Sequence, residues 1–202
     1  NSDITAYGNQ VSFNTAVTHL AETFYVSLTG NDANPGTANQ PWRTIQKAAN
    51  TIFPGDEAII SSGDYDEYVT INNSGTSDIA RISLFSKILR RARCRGFRIQ
   101  GNYVTIDGFE VEAKIVSNWI GIIINGKSFA DILHCFIEEC PMGGISARNG
   151  SNYIRLIGNT ILHCGQVGIN IIGSNALLEG NNISQIVQHH PKGFIKFVPL
   201  GG

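Results

Sequence analysis

The sequence predicts an all-β fold: a parallel β-helix, that is, a solenoid of stacked coils, with a short capping helix near its N-terminal end. Three observations carry this. Ile106, Ile132, Leu156 and Leu178 occupy one recurring slot at intervals of 26, 24 and 22 residues. A second slot, Gly121-Ile122, Gly144-Ile145, Gly168-Ile169 and Gly193-Phe194, recurs at 23, 24 and 25. Two slots that keep one period over four turns mark a solenoid. The runs between them, such as "IRLIG", "NTILHC" and "GINII", alternate with period 2 and are too short and too rich in Gly, Asn and Ser for helices. That last feature separates the chain from leucine-rich repeats, which share the length but need helix-forming residues after each strand.

Taken in order, residues 1–23 read as an N-terminal extension and residues 24–202 as one β-helix domain. Phe24-Tyr25-Val26 is a strand, and "TGNDANPGTANQP" is a turn-rich loop. Trp42, Ile45, Ala48, Ala49 and Ile52 fall on one face at helical spacing, which predicts a helix over about 42–53, ended by Pro54-Gly55. Such a helix covers apolar coil interior and blocks edge pairing with another chain. "EAIISSGDY" and "YVTINNSGT" begin the coils, which run over about 56–198. Ile132, Leu156 and Leu178 are expected in one inward column, and Ile122, Ile145 and Ile169 in another. Asn159 and Asn181, each after a Gly, are expected to form a short internal amide stack at a bend, with Phe109 and Cys135 in the same slot of earlier coils. Cys140 and Cys164 share an inward slot, as buried free thiols or as a disulfide.

Composition excludes several functions. Lys plus Arg is 15 against 16 for Asp plus Glu, so no net charge draws the chain to nucleic acid. No apolar run reaches the ~18 residues of a membrane span. The four Cys have no C-x-x-C spacing, which argues against zinc. The opening "NSDITAYGNQ" has no signal-peptide pattern, as a mature secreted protein also would not.

"YVSLTGNDANPGT", "QPWRTIQKAAN", "PGDEAIISSGDY" and "INNSGT", followed by coils of the "GINIIGSNALLEGNNIS" type, resemble secreted right-handed parallel β-helix proteins of the pectate-lyase-like superfamily. The layout over about 24–182 is most similar to family 9 polysaccharide lyases. The resemblance implies a right-handed solenoid, a secreted or cell-surface location, and β-elimination on an acidic polysaccharide. In that chemistry a Lys or Arg base works beside a calcium ion that neutralises the uronate. Calcium needs clustered oxygen ligands, and "QHHPKGF", which stands where the family has an Asp-rich segment, offers none. No metal ligands are therefore assigned, and the coils carrying the family's base are expected after Gly202. The reading is a module that binds acidic polysaccharide with weak or no turnover; the alternative is a structural or adhesive β-helix of a surface protein or fibre.

The binding groove is expected beside the strands starting at Gly121, Gly144, Gly168 and Gly193. Alternation points Ile145, Ile169 and Phe194 inward, and Ile123, Ser146, Asn170 and Ile195 outward. Candidate substrate-binding residues are Arg148, Asn170, Gln166, His163, His189, His190 and Lys192. Arg91, Arg93 and Arg95 form an alternating row, suited to carboxylates or sulfates or else a solvated face. Glu138 and Glu139, adjacent on one strand, should point to opposite faces and so cannot face each other across a substrate.

Overall fold

The structure is a computed structural model that describes residues 19–113, 120–186 and 195–198. Three parallel sheets form the three sides of a β-solenoid. The first contains Thr23–Val26, Glu57–Ile60, Ile82–Ser86, Val104–Asp107, Ala130–Leu133, Arg155–Ile157 and Leu177–Glu179. The second contains Gly63–Asp64, Ala92–Cys94, Glu110–Glu112, Phe136–Glu138, Thr160–Leu162 and Asn182–Ser184. The third contains Tyr68–Ile71, Gly96–Ile99, Ile120–Asn125, Gly143–Asn152, Ile169–Ser174 and Ile195–Val198. The chain visits first, second and third sheet in turn, then starts the next coil.

Both predicted columns are present. Ile106, Ile132, Leu156 and Leu178 pair in register on the first sheet, and Phe97, Ile122, Ile145 and Ile169 on the third. They belong to one continuous apolar core. The last repeat differs from the expected spacing. Ile169 pairs with Ile195 and Asn170 with Lys196, so Ile195 holds the register position assigned to Phe194. Phe194 itself lies outside the described residues. A Gly followed by an apolar residue mimics the cadence, but hydrogen bonding decides the register, and a one-residue slip exchanges the two faces.

The helix is Ile45–Thr51, and it packs against the strands Tyr68–Ile71 and Thr23–Val26 with Ile45, Ala48 and Ala49 buried. Its first turn is held by two carboxylates from the flanking structure. Glu67 accepts the Ile45 and Gln46 amides at 3.0 and 2.8 Å. Asp32 accepts the Thr44 amide and hydroxyl, and Thr44 Oγ1 caps Lys47 N–H. Amides with no partner inside the helix are thereby satisfied.

The Asn stack is also present. Asn159 is buried, donates from Nδ2 to Ile132 O at 2.8 Å and Asn181 Oδ1 at 3.0 Å, and accepts Cys135 N–H at 3.0 Å. Asn181 Nδ2 continues the pattern to Leu156 O at 2.7 Å. Cys140 and Cys164 are buried free thiols, each donating to the carbonyl two residues back, Glu138 and Leu162.

Two outcomes follow. Asn159→Leu strands the Cys135 amide and the Ile132 carbonyl in the interior, at about 1–3 kcal/mol for each group; a urea unfolding midpoint clearly below wild type is the expected measurement. Burial pushes Cys135, Tyr65 and Tyr68 each up to about 12, and Cys94 well above its ordinary range. Above about pH 9 the unfolded chain ionises these groups while the folded chain retains their protons, so stability falls as pH rises. Urea midpoints at about pH 8 and about pH 10.5 should therefore differ, with the alkaline value lower.

Candidate functional site

The outer face of the third sheet has a simple electrostatic character. Its six strands contain Arg98, Arg148 and Lys196 and no Asp or Glu. Pairing sets the outward column as Thr70, Arg98, Ile123, Ser146 and Asn170. Asn125 and Arg148 pair two residues further along. Arg98 is exposed and lies over the Tyr68 ring at 6.0 Å. Tyr68 donates its hydroxyl to Ile120 O at 3.1 Å. Its phenol is pushed up to about 12 by burial, against the opposing pull of Arg98 and Arg148.

Ser146 points outward yet is buried, because its neighbours cover it. Its Oγ receives Arg148 Nε and Asn170 Nδ2, both at 3.4 Å. Asn170 Oδ1 is buried without a hydrogen-bond partner among the described residues. Of the sequence candidates, the structure thus joins Arg148 and Asn170. His163 and Gln166 are exposed on the turn between Thr160–Leu162 and Ile169–Ser174. His163 adopts a left-handed φ of 49°, and Gln166 Nε2 reaches Met142 Sδ at 3.5 Å. His189, His190 and Lys192 lie outside the described residues.

Sequence reasoning missed Arg98 and Tyr68. Both were legible: Arg98 stands 25 residues before Ile123, one period back, in the alternating run "GFRI".

The arginine row resolves differently from its expectation. Arg93, on the second sheet, lies 3.1 Å from Glu110 Oε1, 3.0 Å from Glu112 Oε2 and 3.7 Å from Asp64 Oδ2. Arg95 pairs with Asp66. Arg93 and Arg95 are thus occupied by the chain's own carboxylates. Glu138 joins this cluster: Glu110, Glu112 and Glu138 each bring a carboxylate oxygen within 4.8 Å of the others. Glu139 leaves the strand at φ 51°. Such oxygens suit a hard cation, but Arg93 already lies 3.0–3.1 Å from two of the three carboxylates, so a calcium ion would have to displace it.

Three stacked parallel sheets with one open cationic face define a pectate-lyase-like β-solenoid. The Pel9A-like right-handed β-helix region matches residues 24–166, and the chain belongs to that family. It is similar to YwoF of Bacillus subtilis (strain 168), itself uncharacterised, at 29% identity over 68% of this chain and 28% of that protein. Among solved structures it resembles XylC in complex with xylose (TM-score 0.72, 14% identity, 87% of this chain and 56% of that one). It also resembles pectate lyase Pel9A (TM-score 0.64, 20% identity, 79% and 46%). The chain therefore spans about half of these structures and less of YwoF. Among the described residues no helix is long and apolar enough to cross a membrane.

Arg93→Gln leaves the carboxylates facing one another and should lower stability by about 1 kcal/mol, the discount for a partly exposed network. Millimolar calcium should leave the wild-type melting temperature unchanged, since only a ligand of the native state raises it.

Proposed function

We propose that the chain is an extracellular carbohydrate-active β-helix module whose third-sheet face binds acidic polysaccharide. The observation that carries this is the pair Arg98 and Arg148 on a sheet that holds no carboxylate along its six strands. The two guanidiniums stand two strand spacings apart, roughly 10 Å along the solenoid axis, so one extended polyanion can meet both. Each presents a planar fork of donors that suits a carboxylate. Tyr68 beside them supplies an aromatic edge and Asn170 a side-chain amide on the same face, while the buried Ser146 holds Arg148 and Asn170 from beneath. Membership of the Pel9A-like family and likeness to a pectate lyase support an acidic sugar as the ligand class.

What the face offers is binding and charge neutralisation rather than an assembled elimination site. Arg148 and Asn170 are engaged with Ser146, a geometry that holds their polar ends in place for a ligand.

Titration with polygalacturonate and with alginate tests the proposal, beside absorbance of the unsaturated elimination product. Binding should weaken steeply with added salt, Arg98→Ala and Arg148→Ala should each weaken it roughly five- to tenfold, and product should be scarce. Binding of neither polyanion at low salt would replace this reading with the structural or adhesive module. Abundant product would make the chain a working lyase.

A further inference from the structure

A second feature lies at the corner where the chain leaves the third sheet and enters the first. Tyr103, Phe129 and Tyr153 occupy the same corner of three successive coils, each with a left-handed φ of 53°, 60° and 53°. Their rings stack at 4.4 and 4.9 Å with interplanar angles of 1° and 3°. In the next coil the corner residue is Asn175, also left-handed at 56°. The ladder stops there, and the Tyr153 ring is left 52% exposed.

Beside the ladder's end, Asp131, Arg155 and Leu177 pair across three strands. Asp131 is 2% exposed. It accepts Arg155 Nε at 2.9 Å and Nη2 at 2.5 Å, and it lies 3.1 Å from Arg81 Nη2. Arg81 also reaches Asp78 at 2.8 Å. These groups and the Phe129 and Tyr153 rings line a pocket of about 290 Å³.

We propose that this pocket is a separate carbohydrate site that takes a neutral pyranose ring. Its volume lies at the lower end of the ~300–1,000 Å³ range of small-molecule pockets. One wall is the aromatic ladder's end with Leu177, matching the apolar C–H face of a sugar. The opposite wall is a fixed guanidinium–carboxylate pair. Arg155 spends Nε and Nη2 on Asp131, and its Nη1 makes no hydrogen bond among the described residues, so its donors face a ligand hydroxyl. The Asn175 amide at the rim adds a donor and an acceptor. Two Arg and two Asp balance in charge, which favours hydroxyls over a uronate and sets this pocket apart from the third sheet. The half-exposed Arg155 is anchored on a buried carboxylate, Asp131, which Arg81 holds as well, and this fixes the recognition element.

The test is calorimetric titration of the full chain with cellohexaose, xylohexaose and mannohexaose. At least one should bind with a Kd of about 1 mM. Tyr153→Ala should weaken that binding roughly tenfold, while Tyr153→Phe, which keeps the ring, retains it. Arg155→Gln leaves Asp131 held by Arg81 and should give the same loss, which serves if the alanine variant melts early. Arg98→Ala, on the other face, should bind the neutral sugar as wild type does, and its polygalacturonate binding reports separately on the third-sheet site. No binding of any of the three sugars overturns the proposal. So does wild-type affinity in folded Tyr153→Ala or Arg155→Gln, which would leave the ladder a packing device only.

Discussion

In-register parallel pairing between successive coils is the constraint from which the other features derive. Each strand is the hydrogen-bonding template for the strand one coil later, about 4.8 Å away. A residue's nearest neighbours along the axis are therefore the occupants of its own slot. Ile132 meets Ile106 and Leu156, and Asn159 bonds Asn181. Rings stack on rings at the Tyr103, Phe129 and Tyr153 corner. The turns keep that register while coil length varies. Corners at Gly108, His134, Gly158 and Gly180 all adopt left-handed φ, as do Glu139, His163 and Gln185 at another. Extra residues are absorbed in the turns between fixed corners, which is why the period drifts without the columns breaking.

The inward half of this architecture was legible in the sequence because its signal is alternation. Burial forces Ile, Val, Leu, Phe or Cys into every second position, and the period repeats the choice. The outward half was legible only where alternation continued, as at Ser146 and Asn170. At corners the alternation stops, so Tyr103, Phe129 and Tyr153 did not register as a ladder although they lie 26 and 24 residues apart. Arg93 shows a different blindness. Its alternation was read along the strand, whereas its partners Glu110 and Glu112 come from the next coil, 17 and 19 residues on. The shift between Phe194 and Ile195 has the same root, since a turn's length is invisible to a pattern that counts only strand residues.

The three sides of the solenoid differ chemically because outward slots are released from packing. The second sheet is a predominantly acidic ladder, Asp64, Glu110, Glu112 and Glu138, with Arg93 set among them. The first ends in a charge-balanced pocket against an aromatic wall. The third carries cations alone among its charged residues. Like charges on neighbouring strands repel, and the third sheet lessens that cost by spacing: Arg98 and Arg148 are separated by the strand Ile120–Asn125 and offset along it.

That spacing also favours polymer over monomer as the ligand proposed for the third sheet. A single uronate can engage one guanidinium, but a chain that reaches across the intervening strand engages both, and the second contact is made at the high effective concentration of a tethered group. Ile123, the exposed-face residue between them, presents an apolar step rather than a competing polar one. The face therefore gains most from a ligand with carboxylates repeated along its length. The pocket on the first sheet is closed on one side by the Tyr153 ring and on the other by the Asp131–Arg155 pair, and it gains most from a single ring. The two proposed sites would thus take two carbohydrate chemistries without sharing a residue between them.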